Sequence, residues 1–91
     1  MSKPYTPENL PDEYPLDQQL ILEAETTPGI HAHDRNKKIA IYRLQVANFA
    51  RQRDARRWFS CVDAERSLRG IVAEAKTDRF KLLFPYHESP V

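Results

Sequence analysis

Ninety-one residues with a net charge of +1 make one small domain, because single cores usually run to about 100–150 residues. Hydrophobic residues at 41% and charged residues at 30% suit a soluble globular protein, and apolar runs as short as Leu20-Ile21-Leu22 exclude a membrane span, which needs about 20 residues. The near-neutral total hides an asymmetry: residues 1–33 carry −5, residues 34–60 carry +6, and residues 61–91 balance, so the halves can attract each other or serve different partners.

Pro4, Pro7, Pro11 and Pro15 recur every three or four residues. Proline fixes φ and removes a backbone donor, so residues 1–14 read as an extended proline-rich arm. Tyr5 and Tyr14 give that arm something to bury along a partner. The arm has no apolar h-region and is not expected to act as a secretory signal. With a lone cysteine, Cys61, a reducing, cytoplasmic setting is expected.

Residues 15–27 predict a short helix. Pro15 suits the first helical position, Asp17 sits near the positive helix end, and Leu16, Leu20 and Ala24 share a face. Leu20, Leu22 and Ala24 also alternate with the period of a strand. Pro28-Gly29 ends the element. Residues 15–86 are expected to form the single domain, with 87–91 as a tail.

From Asp34 up to Gly70 the chain has no glycine or proline. Asp34 is placed to cap a helix with apolar positions Ile39, Tyr42, Val46 and Phe49, a 3,4,3 heptad spacing. The next position on that seam is Arg53, so the seam stops. A second seam runs Trp58, Cys61, Glu65, Leu68, Val72, Ala75. The two do not join on one helical wheel. An antiparallel helical hairpin bending near Gln52–Arg56 accounts for both, with Asp54 capping its second helix. "FKLLFPY" (80–86) then reads as an extended apolar segment folded back on the core. The expected fold is mainly α. The alternative is α+β: "RRWFSCV" is β-compatible, Asp63 can cap a shorter helix, and strands near 56–62 and 79–85 would flank it.

Several residues invite chemistry. Arg35, Lys38, Arg43, Arg51, Arg53, Arg56 and Arg57 form a basic stretch whose guanidinium forks suit phosphates or carboxylates. On a helix they would track a nucleic-acid backbone, or simply face water opposite the acidic third. His31 and His33, at i, i+2, can both face a metal on an extended backbone, with Asp34 adding an oxygen. They are weak candidates, because a third firm ligand would have to come from His87, Cys61 or a distant carboxylate. Cys61 lies on a packed seam, where cysteine acts as a small hydrophobe. The two glycines leave no glycine-rich phosphate loop. Glu65 falls on the apolar seam and needs a partner such as Arg43, or it serves to fix register or oligomer state.

No motif names a reaction. The expected function is non-enzymatic and cofactor-free: an adaptor, inhibitor or assembly subunit that binds protein through the basic hairpin corner and the aromatic arms. The alternative is a nucleic-acid-binding protein using the basic helix 35–57. A homo-oligomer is compatible with either.

Overall fold

In the computed structural model the described residues are 10–83, with side chains through Thr77. They form three helices and no strand: α1 (Gln18–Thr26), α2 (Ala32–Arg51) and α3 (Ala55–Leu83). The protein is mainly helical, and among the described residues no helix is long and apolar enough to cross a membrane.

Two of the three helix starts carry a side-chain cap. Asp17, in an extended conformation, caps α1: its Oδ1 accepts from the Leu20 N–H at 3.0 Å. Because this side chain satisfies an otherwise orphaned donor, α1 begins at Gln18 and not at Pro15. Its last turn closes with Thr27 N–H donating to Glu23 O. The chain then reverses through Pro28 and Gly29, whose φ of +92° is left-handed backbone that favours glycine.

The start of α2 departs from expectation. Its cap position is His31, which makes no side-chain capping bond. Asp34 lies inside the first turn and is held by Lys38 Nζ at 2.6 Å. A carboxylate there still faces the positive end of the helix dipole. Asp54 does cap α3: Oδ1 accepts from Arg57 N–H at 2.8 Å and Oδ2 from Arg57 Nη1 at 2.7 Å.

The β-compatible stretch 56–62 lies wholly within α3, which corrects the strand alternative there. Trp58, Cys61, Leu68 and Val72 all join the core at helical spacing, and that outweighs the local β propensity of Trp, Phe and Val. The segment expected to be extended from Phe80 continues as helix to Leu83. Residues 84–86 and the tail 87–91 lie outside the described residues.

The core gathers from all three helices and from the segment before α1. Tyr42, Phe49, Leu68 and Cys61 are fully enclosed, joined by Tyr14, Leu20, Ile21, Ala24, Ile39, Ala64 and Val72. Each fully buried large side chain contributes about 1.5–3 kcal/mol. The α2–α3 contacts climb one helix as they descend the other. Phe49 meets Trp58 edge-on at 5.3 Å, the Cys61 thiol donates to Gln45 O at 3.2 Å, and Asp34 shares a cavity with Ile71, Glu74 and Ala75.

The described residues before α1 belong to this core. Leu10 and Leu16 pack against it, and Tyr14 is buried with its ring 4.5 Å from Trp58. The Tyr42 hydroxyl, deep in the core, accepts from the Asp17 N–H at 2.8 Å. No buried side-chain N or O among the described residues lacks a partner.

Candidate binding corner

Where α2 ends and α3 begins, the chain makes a short bend, Gln52–Asp54. Four of the seven predicted cations meet here: Arg51, Arg53, Arg56 and Arg57. The others do not. Arg35 and Lys38 sit toward the opposite end of α2, with Arg35 about 24 Å from Arg51 along the axis, and Arg43 lies about 12 Å away.

The seven also differ in what they touch. Arg57 is tied to its own cap, Asp54. Arg53 reaches Asp12 at 2.6 Å, but Asp12 is 92% exposed, so the pair is screened by solvent and weak. Arg51 donates to the Asn48 amide at 3.1 Å. Arg35 donates to Asn36, and Lys38 pairs with Asp34. Arg43 and Arg56 are exposed, and neither guanidinium makes a hydrogen bond or ion pair among the described residues.

Phe59 stands one turn from Arg56 and is 62% exposed. It follows Trp58, which turns inward onto Tyr14 and Phe49. The sequence signal was there, since a residue next to a seam position points about 100° away from it. The Trp-Phe pair therefore splits, with one ring for the core and one for the surface.

The acidic third does pair within the chain, but chiefly with α3. Arg69 Nη2 bonds Asp17 Oδ2 at 2.9 Å, and Lys76 bonds Glu23 Oε2 at 2.6 Å. Glu65 is the hub of this docking. Its Oε1 accepts from Tyr14 Oη at 2.5 Å, and its Oε2 accepts from Arg69 Nε at 3.1 Å and Nη2 at 2.6 Å. The partner of Glu65 is thus Arg69, one turn along the same helix, and not Arg43, which lies on another helix. Burial, reinforced by Glu65, holds the Tyr14 phenol well above its usual pKa. The Glu65 carboxylate in turn raises that of Arg69.

Tyr14, expected as a partner-facing residue, is therefore committed to the chain's own interior. Tyr5 lies outside the described residues. His31 and His33 do not act together: α2 begins at Ala32, between them, so the extended backbone that would align them is absent. Both are exposed. His31 borders a cavity of about 200 Å³ with Asp34 and Glu74, and Asp34 is already engaged by Lys38. Among the described residues no group of three or more side chains could hold a metal ion. Cys61 is enclosed, and burial, with Glu65 nearby, pushes its thiol up to about 11. Such a thiol is a packing group at neutral pH.

No protein-family model matches the chain, and no curated protein or solved structure shows significant similarity to it.

Proposed function

We propose that this is a non-enzymatic protein-binding module, an adaptor, inhibitor or assembly subunit. In this reading α2 and α3 act as a helical hairpin whose bend presents Arg51, Arg53, Arg56 and Phe59 to an acidic surface of another protein. One observation carries it: Arg51 and Arg56 are exposed and neither forms an ion pair among the described residues, beside a phenylalanine that is 62% exposed. Arginine and aromatic residues together are the side chains most enriched at energetically dominant interface positions. Within the acidic third, Asp17 and Glu23 are occupied with Arg69 and Lys76, and Asp12 meets the corner only through the exposed pair with Arg53.

A nucleic acid is the second reading, supported by guanidinium forks beside a ring that can stack on a base. The distribution of charge favours protein. Asp12 and Asp54 stand among the corner arginines, and at the other end of α2 Lys38 is paired with Asp34. A phosphate track needs a continuous row of free cations.

The test is capture from host extract on immobilised full-length protein, with and without nuclease, using wild type and Arg51→Glu/Arg56→Glu. Retention of a protein through nuclease treatment, with loss on charge reversal, is expected. Recovery of nucleic acid that nuclease abolishes would favour the second reading. Capture indifferent to charge reversal would overturn the role of the corner.

A further inference from the structure

Among the described residues, nothing covers the face of α2 and α3 turned away from α1. On α2, Lys37, Ile41, Leu44, Asn48 and Arg51 repeat at spacings of 4,3,4,3, with Ile41 39% and Leu44 56% exposed. On α3 a matching row runs Arg56, Ser60, Asp63, Ser67, Gly70, Glu74, spaced 4,3,4,3,4. The two rows meet at a shallow concavity of about 300 Å³ lined by Ile41, Gln45, Ser60, Asp63, Ala64 and Ser67. These rows are separate from the buried seams.

We infer that this face docks on a second copy of the same chain, α3 against α3, antiparallel about a twofold axis. The charges argue for it. The α3 row begins with a cation, Arg56, and ends with an anion, Glu74, five helical turns (about 27 Å) away. Both are exposed, and neither side chain makes a hydrogen bond or ion pair among the described residues. A parallel pairing sets Arg56 against Arg56. The antiparallel one sets each Arg56 against Glu74 of the second copy.

That register is consistent along the whole row. Setting 56 opposite 74 also sets 60 opposite 70 and 63 opposite 67. Ser60 then meets Gly70 of the second copy, and the Ser67 hydroxyl can donate to the second copy's Asp63. The axis passes beside residue 65, and Ile41, on the rim of the concavity that includes Ala64, comes next to its own symmetry mate. An isologous interface requires this kind of self-complementarity.

Gly70 fits the same arrangement. Glycine is a poorer helix former than alanine, yet a Cβ added at Gly70 meets nothing within 4 Å among the described residues. Nothing described in the single chain favours glycine there, whereas a second helix approaching closely would.

The size of the face sets the strength. Two helices about 20 Å wide over about 27 Å offer roughly 500 Å² per copy, the low end for specific interfaces. The dimer should therefore be in concentration-dependent exchange with monomer, with a dissociation constant on the order of 1–100 μM.

Sedimentation equilibrium of the full chain tests this. Wild type should move from one chain to two as concentration rises through that range. Leu44→Glu should raise the dissociation constant at least about tenfold, with unchanged circular dichroism. Gly70→Gln, a better helix former, should unfold later yet dimerise less. Arg56→Glu and Glu74→Arg should each weaken association, and the two together in one chain should restore it. A monomer at about 1 mM, dimerisation unaffected by Leu44→Glu, or no rescue in the double charge swap would overturn the proposal. Leu44 and Gly70 lie outside the corner, so these variants separate dimer failure from corner failure.

Discussion

Replacing Tyr14 with phenylalanine removes one hydroxyl and keeps the ring. That hydroxyl donates to Glu65 Oε1 at 2.5 Å, and the residue is 8% exposed with its ring centroid 4.5 Å from that of Trp58. A hydrogen bond to a charged acceptor contributes about 1.5–3 kcal/mol net. Glu65 keeps both bonds from Arg69, so its carboxylate is not stranded, and the loss should fall at about 1–2 kcal/mol. For a domain this small that lowers Tm by roughly 5–12 °C. Tyr14→Ala also removes the ring and should cost about 3–5 kcal/mol. Urea unfolding can be followed by the fluorescence of Trp58, the single tryptophan, which packs against the residue being changed. A double-mutant cycle with Glu65→Gln should return a coupling of about 1 kcal/mol. The phenol pKa is raised by burial and Glu65. A raised folded-state pKa gives stability that is whole below the ordinary tyrosine value of about 10 and declines above it. Tyr14→Phe should lose part of that alkaline decline. If Tyr14→Phe unfolds within about 0.3 kcal/mol of wild type, the segment before α1 is not docked on Glu65, and the reasoning fails.

Phe49 and Phe59 make a paired control: Phe49→Ala should cost about 3–5 kcal/mol by denaturation, whereas Phe59→Ser should stay within about 0.5 kcal/mol and instead abolish partner capture. Asp54→Ala should destabilise α3 by removing its cap. The Asp54 carboxyl is held below the usual range by the Arg57 backbone N–H and then by the Arg57 side chain. The advantage of wild type over this variant should therefore be whole above the unfolded aspartate value of about 3.9 and vanish as pH falls through the lowered folded value. Cys61 should react slowly with a disulfide reagent at pH 8 in the native protein and rapidly in urea. Its thiol is pushed up to about 11, so its contribution to stability should fall as pH rises from the ordinary value of about 8.5 through 11.

The two apolar seams were legible because burial leaves a periodic trace. Ile39, Tyr42 and Phe49 on α2, and Cys61, Leu68, Val72 and Ala75 on α3, are buried, and the 3,4 spacing named them. The helix ends were less legible, since several residues compete for each cap. Pro15, Asp17 and Asp34 all carry starting signals, and only the bond from Asp17 to the Leu20 N–H settles where α1 begins. The local sequence of 56–62 fits strand or helix, and tertiary packing of Trp58 and Cys61 decides it. The Tyr14–Glu65 contact joins residues 51 positions apart. Periodicity marks Glu65 as out of character on its seam, but it carries no information about which distant side chain comes to meet it. For the corner, sequence placed the arginines together at a bend. It could not separate Arg57, hydrogen-bonded to Asp54, from Arg56, which is exposed and makes no ion pair among the described residues.

The corner can bind a partner only if Arg51 and Arg56 are accessible. Arginine-selective labelling with phenylglyoxal, quantified by mass spectrometry in the free protein and in the complex recovered by capture, measures that accessibility residue by residue. In free protein too dilute to self-associate, Arg51 and Arg56 should label quickly and become protected in the complex, while Arg69, held by Glu65 and Asp17, should label slowly in both. Equal labelling of Arg51 and Arg56 in the two states would contradict the corner as the binding surface.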